Sequence, residues 1–180
     1  VSDAFRRNAG IDLLATMAAD GTPNRAALAA AATGAGIAIA ADDTWSDIFS
    51  RVLVERIEPC LGQGCPTILD AYPRAEAALA RTMQGDPRLA ERFELYICGV
   101  ELVNGFGELT DAGEQRQRFE AEMAEKQRIH GERYPIDEEF LAALSQMPEA
   151  SGVAMGFDRL VMLATGADSV ERVMWTPPEV

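Results

Sequence analysis

Apolar residues recur at helical spacing most clearly over residues 44–57, where Ile48, Phe49, Val52, Leu53 and Ile57 fall on one side of a helix and Thr44 is placed to cap it. Two weaker helices precede it. One runs over residues 2–10 with Ser2 as its cap, and an alanine-rich one covers residues 24–32, where propensity alone favours a helix. A turn-rich stretch with Gly21 and Pro23 separates them, and residues 62–66 break the pattern again. Residues 67–69 read as a short apolar strand, and residues 73–83 as a loop followed by a helix. The period then changes. Residues 93–97 and 100–103 are two β-rich runs around Cys98-Gly99, the pattern of a hairpin with a two-residue turn. A long helix follows over residues 110–129, another over 137–144 with Asp137 as its cap, then a small-residue strand over 152–156 and a helix over 158–165. There is no internal repeat. Helices followed by antiparallel strands with inserted helices predict an α+β domain.

Composition narrows this little. A chain of 180 residues with 48% hydrophobic content suits one domain with a real core, and no apolar run is long enough to cross a bilayer. Cys60, Cys65 and Cys98 are odd in number and form no C-x-x-C pair, so neither a disulfide framework nor a zinc site is expected, and a cytoplasmic location is. The net charge of -13 repels phosphate backbones and argues against a free-standing nucleic-acid-binding module. The chain opens on Val1-Ser2-Asp3 without an initiator methionine, so a piece of something longer is expected.

The hairpin carries charge out of place. With Cys98-Gly99 as the turn, Tyr96 faces Glu101, and Glu94 shares their side of the sheet. Two carboxylates on one face repel unless a cation sits between them, and hard oxygen donors suit Mg²⁺; the alternative is a solvated face. Asn104-Gly105-Phe106-Gly107-Glu108 follows, where Glu108 could bind an amine in a cleft or cap the next helix. In residues 151–160, glycines allow a ligand close to the backbone and Arg159 offers a planar cation for stacking or phosphate contact; Asp158 could equally cap the helix. His130, the only histidine, sits in a charged stretch with no apparent catalytic partner and reads as a surface residue, which argues against a Ser-His-Asp or Cys-His mechanism. No P-loop or G-x-G-x-x-G pattern occurs.

Taken in order, Glu94-Leu95-Tyr96, the run from Gly99 to Asp111 and residues 115–119 resemble the lysyl-tRNA synthetase family of class II, and residues 152–162 resemble its motif 3. Val1 to Ile11 resembles the segment after motif 2. Within the family the resemblance is strongest to the short branch that ligates (R)-β-lysine to elongation factor P and lacks an anticodon-binding domain. Ala154 stands where the tRNA enzymes have Gly, and residues 170–180 lack their Arg-Pro ending. Gly107 departs from both groups, which carry His or Ser there.

The resemblance implies a class II catalytic domain, with ATP and Mg²⁺ as cofactors. Glu94 and Glu101 would hold the metal, and Glu101 and Leu102 would touch the nucleotide through their backbone. Gly156 would line the nucleotide site, and Arg159 would pack on the adenine and reach the phosphates, so Glu101 and Arg159 would be the catalytic pair. Glu108 and Asn104 would bind a lysine or β-lysine substrate. Activation would form an aminoacyl-adenylate that an amine of the acceptor then attacks. Motif 1, which builds the family homodimer, and the motif 2 Arg are not found, so residues 1–180 are expected to be the C-terminal part of the domain or a degenerate relative of it. A lysyl-tRNA synthetase acting on tRNA and a non-catalytic binding or regulatory module are the competing expectations.

Overall fold

The computed structural model describes residues 1–77 and 79–176. Its helical part comes first. In α1 (Ser2–Ala9) Val1 takes the cap position and Ser2 lies inside the first turn, so the expected serine cap is one residue off and no side chain caps the helix. α2 (Arg25–Gly34) is capped by Asn24, which accepts from the Ala27 N–H. α3 (Trp45–Val52) begins with the expected Thr44, in a reciprocal capping box with Asp47. The helix expected to continue to residue 57 changes form instead. It widens into a π turn (Leu53–Ile57) and tightens into a 3₁₀ turn (Glu58–Cys60), where Pro59 has no N–H to extend the α pattern. The apolar stripe is nonetheless buried as its spacing predicts: Ile48, Phe49, Val52, Leu53 and Ile57 all lie in the core.

Four antiparallel strands follow, β1 (Thr67–Pro73), β2 (Leu89–Ile97), β3 (Val100–Gly107) and β4 (Ser151–Met155), in that spatial order. The β2–β3 turn is Cys98-Gly99, both with positive φ (53° and 76°), as a two-residue hairpin turn demands. Loop 61–64 packs against it: Gly62 and Leu61 carbonyls accept from the Cys98 and Gly99 N–H groups. A Cβ at Gly62 would come within 2.7 Å of the Ile97 backbone, so that position needs glycine. Helices α4 (Ala112–His130), α5 (Glu138–Leu144) and α6 (Phe157–Thr165) complete an α+β fold. Asp137 caps α5 as expected, whereas α6 is entered from Gly156 with Asp158 already helical.

The helix expected within residues 73–83 is absent. β1 runs on through Pro73, a single 3₁₀ turn (Arg74–Glu76) follows, and the chain then joins the sheet region, with Ala80 bridged to Glu108 and Thr82 to Ala90. Alanine's helix propensity is worth only tenths of a kcal/mol per residue over most residue types. Here it yields to small-residue packing, with Ala77, Ala80 and Ala90 buried together against Phe106.

Phe5, Trp45 and Phe49 stack at 5.0 and 5.5 Å between ring centroids and, with Tyr72 and Tyr96, form the main core over the β1 end of the sheet. The β4 end differs: Val153, Met155 and Phe157 are exposed. Among the described residues the three cysteines are free and exposed, and no helix is long and apolar enough to cross a membrane.

Candidate functional site

Strand register decides which of the candidate residues meet. Tyr96 pairs with Glu101 and Glu94 with Asn104, while Leu95 pairs with Val103; Leu102 is therefore an extra residue in β3. This β-bulge matters because strict alternation would put Glu101 and Asn104 on opposite faces. With Leu102 inserted, Glu101, Asn104, Phe106 and Glu108 are all directed to the face that carries Glu94 and Tyr96. The shared face of Glu94, Tyr96 and Glu101 is as the sequence predicts; the bulge that adds Asn104 and Glu108 to it is not visible there.

Glu94 is not on a solvated face. It is 5% exposed, and its Oε2 accepts from the hydroxyls of Tyr72 and Tyr96 (the latter at 2.7 Å), while Oε1 accepts from Arg92 at 2.6 Å. Arg92 also lies over the Tyr72 ring, 4.5 Å from its centroid. Burial, then the Glu94 charge, pushes the Tyr72 hydroxyl far above its ordinary range, and burial together with the hydrogen bond to Glu94 does the same for Tyr96. Both phenols thus stay protonated and act as donors. The Tyr96 hydroxyl also lies 3.3 Å from Glu58 Oε1. Glu58, absent from the sequence expectations, adds a third carboxylate that feels Glu94, Glu101 and Arg159, and burial raises its pKa. Its only sequence signal is a charged residue just after an apolar stripe, which the 3₁₀ turn carries round to the sheet.

Glu101 and Arg159 are brought together. One guanidinium nitrogen of Arg159 donates to the Glu101 carbonyl at 2.7 Å and to its carboxylate at 3.1 Å. Both side chains remain partly exposed, which leaves the pair open to a ligand. The Leu102 side chain is buried and its carbonyl accepts from the Gly156 N–H at 2.9 Å, so β3 and the start of α6 are tied together there. The Arg159 stem runs along Gly156, whose absent Cβ would make only ordinary contacts of 3.4 to 3.6 Å with it.

Asn104 and Glu108 behave differently. Asn104 Oδ1 is buried and accepts no hydrogen bond, and the half-buried Glu108 carboxylate has no polar partner among the described residues. Glu108 is not the helix cap: Asp111 holds that position, accepting from the Glu114 N–H at 2.9 Å. Instead the Glu108 backbone is fixed from two sides. Its N–H donates to the Ala150 carbonyl, and the Leu109 N–H donates to the Leu79 carbonyl, each at 3.0 Å. The carboxylate rests on Gly152 of β4. Two acceptors without donors on one sheet face suit a ligand that brings N–H groups, above all a cation.

The metal expectation can be tested against these contacts. No cluster of three or more Asp, Glu, His or Cys side chains among the described residues could cage a metal alone. Oε2 of Glu94 is filled by two phenols and its Oε1 keeps one lone pair, while among the described residues the Glu101 carboxylate is hydrogen-bonded only to Arg159. That donor set fits a hard cation taking one oxygen from each residue and the rest of its shell from water and phosphate. His130 ends α4 and is exposed, the surface position expected of it.

Comparison with known proteins gives the family of the chain. A family model described as tRNA synthetases class II (D, K and N) matches residues 56–179. Among curated proteins, the elongation factor P–(R)-β-lysine ligase of Sodalis glossinidius is 43% identical over 173 residues, covering 94% of this chain and 51% of the relative. Ligases of the same name from Proteus mirabilis (48% over 131 residues, 72% of this chain and 40% of the relative) and Photorhabdus laumondii (50% over 119 residues, 66% and 37%) are similar. The chain spans about half the length of the Sodalis protein, or less in the other two alignments.

Proposed function

The chain belongs to the class II tRNA synthetases (D, K and N), and from that premise we propose that it is the C-terminal part of a catalytic domain that activates a lysine-type amino acid with ATP and ligates it, as (R)-β-lysine, to elongation factor P. Residues 152–162 would be motif 3, and no motif 1 or motif 2 pattern occurs within residues 1–180. The observation that carries the reading is the pair of acceptors without donors among the described residues, Asn104 Oδ1 and the Glu108 carboxylate. An ammonium group supplies the N–H donors and the charge that this pair lacks. The names of the relatives favour β-lysine and elongation factor P over lysine and tRNA.

The two ends of the substrate fall to different residues. Glu108 and Asn104 hold the amine and so orient the carboxylate towards the nucleotide. Arg159, at the Glu101 end of the same face, packs on the adenine and reaches the phosphates, stabilising the charge that builds as pyrophosphate leaves. Glu101 and Glu94 would hold Mg²⁺, which when bound neutralises charge on the phosphate oxygens. Gly156 and the backbone at Leu102 line the nucleotide. Glu94, locked by three donors, contributes a fixed charge, and Glu101 is the movable partner.

The test separates the two ligands in the whole protein. Glu108→Gln keeps shape and removes charge, and binding of lysine or β-lysine should weaken by about 2–5 kcal/mol while ATP affinity holds. Glu101→Gln should do the reverse. If Glu108→Gln leaves amine binding intact, or weakens both ligands equally, its assignment fails.

A further inference from the structure

Gly152 lies on β4 opposite Phe106, on the face that carries Glu108. Its φ lies outside the left-handed region, so alanine is conformationally allowed there and only space is at issue. That space is taken. A Cβ at residue 152 would stand 2.4 Å from Glu108 Oε1. Ordinary contact begins near 3.4 Å, so the carboxylate would have to retreat by about an ångström, close to the rise of one methylene. The Glu108 backbone cannot take up that movement, because it is pinned to Ala150 on one side and, through Leu109 N–H, to Leu79 on the other. The displacement falls on the side chain, away from the sheet and into the cleft.

We propose that Gly152 sets the depth at which Glu108 receives the substrate amine, and so sets the chain length of the diamino acid accepted. This rests on Glu108 as the amine reader. A carboxylate lying flat on a bare β4 backbone gives the deepest seat the sheet allows, and any side chain at 152 makes it shallower. Gly152 is thus a positioning residue that acts through Glu108. The structure gives no other reason for glycine at this point of β4, since neither a turn nor a positive φ requires one.

The experiment measures equilibrium binding of lysine and of ornithine, one methylene shorter, to the whole protein and to Gly152→Ala, with ATP binding as the control. Lysine affinity should fall on the order of tenfold, ornithine should lose less or gain, and ATP should be unchanged. Adding Glu108→Asp to Gly152→Ala withdraws the carboxylate by one methylene and should move the preference back towards lysine. An unchanged lysine-to-ornithine ratio, or a parallel loss of ATP binding, overturns the proposal. Should Gly152→Ala not fold, Glu108→Asp alone carries the test: it deepens the seat and should shift preference away from ornithine, and no shift overturns the proposal. Glu108→Gln separates the layers. If it spares amine binding, the reading of Glu108 falls; if it destroys amine binding while Gly152→Ala leaves the ratio fixed, only the role of Gly152 falls.

Discussion

Towards the β1 end of the sheet, Glu94 is buried and takes hydrogen bonds from Tyr72, Tyr96 and Arg92; towards the β4 end, half-buried Glu108 takes none among the described residues. Both are glutamates directed to one sheet face, and their settings are opposite. Around Glu94 the stacked rings of Phe5, Trp45 and Phe49 close the core, and even the Trp45 indole N–H finds the Thr16 hydroxyl at 3.3 Å. Around Glu108 the neighbouring strand is exposed and Asn104 Oδ1 has no donor. Unmet acceptors cost stability, so a fold keeps them where a ligand supplies the missing donors. The contrast separates a carboxylate whose oxygens the fold itself supplies with donors from one whose oxygens it leaves open, as the proposed reading of Glu108 requires.

The largest effect expected from breaking this contrast is on the closed end. Glu94→Ala leaves Arg92 and two buried phenols without their common acceptor, and should cost about 3–5 kcal/mol in urea unfolding. A cost below about 1 kcal/mol would mean that the network contributes little. A smaller effect sharpens the comparison through pH. Burial holds the Glu76 carboxyl above its ordinary 4.5, against the Ser46 hydrogen bond and the Arg92 charge. A raised carboxylate pKa favours the protonated fold, so its contribution is complete below the unfolded value and lost as pH rises through the folded one. Glu76→Gln should therefore flatten that decline, gaining stability relative to the parent at about pH 7 but not at about pH 4. Parallel stability–pH curves would remove Glu76 from the account.

The strands that carry this contrast are legible in the sequence, the opposite settings of the two glutamates are not, and the exceptions have physical causes. The hairpin is readable because two apolar runs flank Cys98-Gly99, and its register follows from a two-residue turn. Motif order then points to Glu94, Glu101, Asn104, Glu108 and Arg159. The bulge at Leu102 is not readable, since leucine there looks like any strand residue, yet it alone puts Glu101 on the face of Asn104. Residues 73–83 mislead because alanine serves two ends: it favours helices in isolation, and here it allows Ala77, Ala80 and Ala90 to pack closely. Glu58 is missed because its position depends on how the chain turns after α3, which follows from packing rather than local pattern.

The central claim, that Asn104 and Glu108 are kept for a ligand rather than for the fold, meets its most direct test in the unfolding free energy of the double variant Asn104→Ala/Glu108→Ala. The account predicts a value within about 0.5 kcal/mol of the parent, or above it, because no side-chain hydrogen bond to the described residues is lost. A loss of about 2 kcal/mol or more would show that these groups hold the structure together, and would contradict the claim.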